Sequence, residues 1–104
     1  MQGPYNQGTF ARMLAPSPGV WERLTLVVRG QAYRVIKPFQ DADGQDHPVG
    51  ETWTFLGAMF NRFDNELALC VRLPGSAEWR IPLISQADKQ EDVIEHWKAY
   101  LAPA

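Results

Sequence analysis

Four runs between Ala32 and Ile84 place apolar residues at every second position. Alternation of this kind puts successive side chains on opposite faces of a β-strand. In Ala32 to Phe39, Tyr33 and Val35 oppose Arg34 and Ile36, and Pro38 places the end of that strand at an edge or a bulge. Glu51 to Asn61 reads as a long central strand. One face carries Trp53, Phe55, Gly57 and Met59, the other Thr54, Leu56, Ala58 and Phe60, with Gly57 marking a bend or bulge. Glu66 to Leu73 turns Leu67, Leu69, Val71 and Leu73 inward and Ala68, Cys70 and Arg72 the other way. Trp79 to Ile84 turns Trp79, Ile81 and Leu83 inward, and Pro82 marks an edge strand. The tight turns Arg62-Phe63-Asp64-Asn65 and Pro74-Gly75-Ser76-Ala77 join the last three runs into a meander.

The period changes at the C-terminus. Ser85 as N-cap, Asp88 three residues on, and Val93, Ile94, Trp97, Tyr100 and Leu101 on one face predict a helix that Pro103 ends. Trp21 to Val28 fits both a short helix and a strand and stays open between them. Residues 1–19 hold Gly3, Pro4, Gly8, Pro16, Pro18 and Gly19, a pattern that predicts a mobile tail with one helical turn near Phe10 to Leu14. The expected organisation is therefore a flexible tail over 1–19 and a single domain over 20–104.

Together these elements predict a mainly β domain: a small, partly open, antiparallel barrel of four or five strands with a C-terminal helix. The order, with a long polar loop after the first strand, resembles an SH3-like barrel. The segments Tyr33-Arg34-Val35, Pro38-Phe39, Asp41-x-Asp43-Gly44, His47-Pro48-Val49-Gly50-Glu51, Trp53-x-Phe55 and Asp64…Leu67-x-Leu69 also resemble a bacterial family of short uncharacterised domains, over roughly residues 20–102. That family has no assigned activity, so the resemblance implies the fold and no function.

Composition narrows the classes. The chain has 104 residues, enough for one domain and one core. With ten Lys plus Arg against twelve Asp plus Glu the net charge is −2, which argues against a strongly basic nucleic-acid coat. One cysteine, Cys70, excludes an internal disulfide and a multi-thiolate zinc site. The N-terminal segment lacks the pattern of a secretory signal, and no stretch nears a membrane span, so a soluble cytoplasmic protein is expected, with no membrane partner.

Candidate chemistry concentrates in one loop. Gln40 to Gly50 with Glu51 holds Asp41, Asp43, Asp46 and Glu51, one histidine, and no Lys or Arg. The spacing fails as an EF-hand, because Gly44 comes two places early and Thr52 stands where a bidentate Glu is needed. An acidic turn in which Asp side chains bond backbone N–H groups accounts for the loop. His47 beside carboxylates has the make-up of a general base, yet no nucleophile is placed near it, and a structural role fits better. His96 borders the helix's apolar stripe, and Cys70 reads as a buried structural thiol. Neither a catalytic residue nor a metal or other cofactor is expected.

Twelve aromatics are more than a core of this size hides. Trp53, Phe55, Trp79 and Trp97 read as core, whereas Phe39, Phe60 and Phe63 fall at strand ends and beside loops. The expectation is a non-enzymatic module that takes a protein or peptide, a second copy of the chain included, on a surface made by Phe39, Asp41, Asp43, His47, Glu51, Phe60 and Phe63. The alternative is a single-stranded nucleic-acid module using Arg34, Arg72 and Arg80, which the net charge disfavours. A metal- or small-molecule-binding role for the acidic loop ranks third.

Overall fold

The alternating runs form strands, except that Ala32 to Phe39 breaks after Val35 and Phe39 enters a separate hairpin, and the main sheet gains one more strand at each end. The computed structural model describes residues 1–104. The elements run β1 (Gln2–Tyr5), α1 (Thr9–Met13), α2 (Val20–Thr25), β2 (Ala32–Val35), β3 (Phe39–Gln40), β4 (Asp46–His47), β5 (Thr52–Asn61), β6 (Glu66–Arg72), β7 (Glu78–Ile84), α3 (Asp88–Glu95), a 3₁₀ turn (Trp97–Ala99) and β8 (Leu101–Pro103). Six strands form an antiparallel sheet in the order β1-β7-β6-β5-β2-β8, and β3 and β4 form a separate hairpin. The sheet is open: β1 and β8 end it and do not pair with each other, so the expected four- or five-stranded barrel is replaced by a larger unclosed sheet.

The front face carries the main core. Tyr33, Val35, Trp53, Phe55, Leu67, Leu69, Val71, Ile81 and Leu83 are buried there, joined by Val27, Phe39, Val93, Trp97, Tyr100 and Leu101. The meander is as the alternation predicts, with one correction. Phe55 pairs with Val71 and Gly57 with Cys70, so Leu56 is an extra residue in β5. A bulge of one residue exchanges the faces beyond it. Ala58 and Phe60 therefore join the face of Trp53 and Phe55, and Met59 leaves it. Gly57 holds φ +151°, and a Cβ there would lie 2.6 Å from Leu14 Cδ1. Backbone conformation and close packing both require glycine at this point.

Residues 1–19 are the second correction. β1 pairs with β7 through Gln2 opposite Arg80 and Tyr5 opposite Glu78, and Phe10 of α1 is fully buried. This segment covers the back of the sheet, where Ala68 and Cys70 are buried as completely as the front core. The Glu78 carboxylate anchors it, accepting from the N–H groups of Gly8 (2.7 Å) and Phe10 (3.0 Å). β1 also corrects the reading of β7 as an edge. Its pairing stops at Arg80, and beyond it the Pro82 carbonyl accepts from Ala42 N–H of the hairpin loop at 2.8 Å. The accessible surface of 5939 Å² matches the ~5,900 Å² expected of a compact monomer of this mass, which leaves no room for a detached tail.

Trp21 to Val28 resolves as a helix followed by an irregular segment. Glu22 in the first turn of α2 accepts from Gly19 N–H at 3.3 Å, half of a capping box. The C-terminal helix is shorter than its apolar stripe suggested. α3 ends at Glu95, and Leu101 becomes a strand residue opposite Val35. Trp79 is half-buried, packed against the margin of the core opposite Val71 and close to Gly3.

Candidate functional site

The structure divides the expected surface into two unlike parts. The first is a polar cluster centred on the buried His47 and Asp41. In the β3–β4 hairpin Phe39 stands opposite His47, and their rings stack at 4.7 Å with 16° between planes. His47 Nε2 lies 2.7 Å from Asp41 Oδ2, and Nδ1 lies 2.6 Å from Glu51 Oε2. With both carboxylates ionised, both contacts are hydrogen bonds when the ring donates twice, as an imidazolium. Asp41 Oδ1 accepts from the N–H groups of Asp43 (2.9 Å) and Gln45 (3.1 Å), closing the loop as an Asx turn. Oδ2 also meets the Met1 amino group, which reaches Asp43 as well. Glu51 accepts from Trp53 Nε1 at 3.2 Å.

Burial and bonding oppose each other in this cluster. Burial alone would lower the His47 pKa, but hydrogen bonds and charge from Glu51 and Asp41 outweigh it and hold the value above that of a free histidine. Burial would raise Asp41; the Met1 amino group, His47 and Gln45 N–H outweigh it and hold the carboxyl below its usual range. His47 and Asp41 are buried and Phe39 nearly so, which corrects their place on an exposed binding surface. A base needs an open path to substrate, and His47 has none. No group of three or more His, Cys, Asp or Glu side chains has a metal-binding arrangement.

Two of the three arginines of the expected nucleic-acid face have carboxylate partners. Arg80 pairs with Glu66 and donates to Gln2 Oε1 at 2.8 Å, and Arg72 approaches Glu78 at 3.4 Å. Only Arg34 of the three is exposed without an ion pair. On the same side of the sheet Arg29 binds both oxygens of Glu22, at 2.7 and 3.0 Å. Burial pushes the Cys70 thiol up to about 12, leaving it inert.

The second part is an apolar groove. β2 pairs with β5 only over Thr52 to Thr54, so the upper edge of β5 has no strand beside it. α2 fills that place, and Glu22 Oε2 accepts from Ala58 N–H at 3.4 Å. Trp21 packs edge-on against Phe55 and donates its indole N–H to Ile94 carbonyl at 3.0 Å, tying α2 to α3. Between these elements lies a concavity of about 480 Å³ lined by Val20, Trp21, Leu24, Phe60, Leu67, Ser85 and Ile94. Val20 is 62% exposed, Leu24 80% and Phe60 59%. Leu26, at the end of α2, is exposed with φ +61°, a left-handed conformation that costs a leucine energy.

Of the seven residues expected to share one surface, only Phe60 lines this groove. Phe63 is 87% exposed at the tip of the β5–β6 turn. Sequence reasoning missed Val20, Leu24 and Ile94 as a surface. The signal was present, since Val20 and Leu24 are one helical turn apart, but it required deciding that Trp21 to Val28 is a helix.

No protein-family model matches the chain, and no curated protein does. A solved structure does: the integron cassette protein VCH_CASS4 from the mobile metagenome of Vibrio cholerae. The match has a TM-score of 0.73 and 24% identity, over 77% of this chain and 91% of that one. The shared property is the fold. No helix is long and apolar enough to cross a membrane.

Proposed function

We propose that this protein is a non-enzymatic protein-binding module and that the groove between α2, α3 and the β5–β6 hairpin is its docking surface. The observation that carries the reading is the combination of an apolar concavity with large apolar side chains left standing in solvent around it. Such patches mark interaction sites, and aromatic and aliphatic anchors in desolvated pockets supply most of the energy of association. An SH3-like barrel carries its peptide groove between the long loop and a hairpin; the surface favoured here lies elsewhere, because the long loop is consumed by the buried His47 cluster.

Selection of a displayed peptide library on the purified protein tests the reading, with Leu24→Asp as the counter-selected variant. Leu24 makes little contact within the fold, so the variant stays folded. Peptides that bind the parent and lose at least tenfold in affinity for L24D support the groove. Enrichment of peptides that bind both equally, or no enrichment, overturns it.

A further inference from the structure

We propose that a cavity on the back of the sheet, apart from the groove, binds a short aliphatic carboxylate, with the Arg72 guanidinium as its anchor. The cavity measures about 260 Å³, below the ~300 Å³ at which pockets for drug-sized molecules begin, so its occupant is small. Its floor comes from three neighbouring strands. Arg72 of β6 stands directly opposite Glu78 of β7, and Leu56, the extra residue of β5, lies beside them. Its roof is the end of α1 and the linker to α2, where Leu14 and Pro16 add apolar wall and the short side chains of Ala11 and Ala15 leave the space open.

Arg72 has hydrogen-bond donors to spare. Its Nε is buried and bonds to nothing, and its Nη2 reaches Glu78 only at 3.4 Å. A buried donor left unpaired costs free energy that an acceptor placed against it recovers. Glu78 does not depend on this contact, because its two oxygens already accept from Gly8 and Phe10 N–H. Arg29, the other cation lining the cavity, is committed to Glu22 and to the Ala15 and Ser17 carbonyls. Arg72 is therefore the group with a free edge, and with its side chain 36% exposed a ligand reaches it from solvent. A planar carboxylate fits a guanidinium edge with two parallel hydrogen bonds. The buried carboxylates of Glu22 and Glu78 stand behind the two arginines. One added negative charge is favoured there over the roughly two of phosphate. The aliphatic body of the ligand then rests on Leu14, Pro16 and Leu56.

Titration of the full chain with sodium butyrate, followed by proton–nitrogen correlation NMR, tests this. The reporter is the Arg72 Nε–H signal, assigned by its loss in Arg72→Gln. It should move and saturate, together with the Ala15 and Leu56 amides, with half-saturation below about 10 mM for so small a ligand. Butanol, which lacks the charge, should leave it in place, and inorganic phosphate should move it only weakly. Arg72→Gln removes the anchor, and Ala11→Leu fills the cavity with Arg72 untouched. Each should weaken binding, read from the Ala15 and Leu56 amides, by roughly tenfold. Glu78 keeps its backbone donors in R72Q and Ala11 is an exposed helix position, so both variants fold, as their melting temperatures will show. No movement of the Nε–H signal by about 50 mM butyrate, equal movement with phosphate, or undiminished binding in either variant overturns the inference. Leu24→Asp should bind butyrate as the parent does, since the groove takes no part.

Discussion

Replacing His47 with Gln removes the imidazolium that two carboxylates share. Asp41 keeps its two backbone N–H donors and the Met1 amino group, and Glu51 keeps the Trp53 indole. Removing one partner of a buried charge pair costs about 3–5 kcal/mol when nothing else compensates. With those partners retained, a cost below that range, about 2–3 kcal/mol, is expected. At ~4–8 °C per kcal/mol for a chain of this size, the melting temperature falls by roughly 10–20 °C. The pH dependence supplies a sharper reading. The folded pKa of His47 lies above its unfolded value near 6.5. Its contribution is therefore fully present below about pH 6.5 and is lost as pH rises through the folded value. Melting temperatures by circular dichroism from pH 5.5 to 10 should show the gap between parent and H47Q widest at low pH and narrowing above neutrality. A gap that is constant, or that widens with pH, refutes the imidazolium assignment.

Other substitutions probe the rest of the fold. Gly57→Ala meets both an unfavourable φ and the Leu14 side chain, and should lower stability by about 1–3 kcal/mol in urea denaturation. Phe10→Ala, in the segment that reads as a tail, should cost about 3–5 kcal/mol by the same assay. A change below about 0.5 kcal/mol would place residues 1–19 outside the fold. The Cys70 thiol, held up to about 12 and buried, should resist a disulfide reagent at pH 8 in the native protein and react at once in denaturant. Asp41 works in the opposite sense to His47. Its folded pKa is depressed, so its contribution is present above its unfolded value and is lost as pH falls through the folded one. Asp41→Asn should therefore narrow the stability difference from the parent toward pH 2.

The β5–β6–β7 meander was legible because each strand is half of a two-faced sheet and its turns carry Gly, Pro, Asn and Asp. Burial at Leu67, Leu69, Val71, Ile81 and Leu83 follows from that alternation directly. Beyond Gly57 the same logic gives the wrong face, since one inserted residue exchanges Met59 and Phe60, and the insertion is fixed by pairing with Cys70 rather than by β5 itself. β8 was hidden because Leu101 continues the helical spacing of Ile94 and Trp97; only the open edge at Val35 turns it into a strand. The N-terminal segment was hidden by its own composition. Pro4 and Gly8 do break regular structure, but the anchors Phe10 and Leu14 act across 40 to 70 residues of chain, on Gly57 and Glu78.

The candidate site was half legible for similar reasons. The acidic loop was visible, and so was the preference for a structural His47. That Asp41, His47 and Glu51 converge needed the register of a hairpin whose strands are two residues long, which the sequence does not carry in its periodicity. The groove needed three elements distant in sequence to meet at Trp21 and Ile94.

Binding of one library-selected peptide to the parent, Leu24→Asp and His47→Gln, measured by calorimetry at a temperature where all three are folded, addresses the division between groove and cluster most directly. The expected result is that L24D loses binding with its melting temperature unchanged, while H47Q binds as the parent does despite its lowered melting temperature. If instead H47Q loses binding and L24D keeps it, the buried cluster belongs to the functional surface and the groove does not.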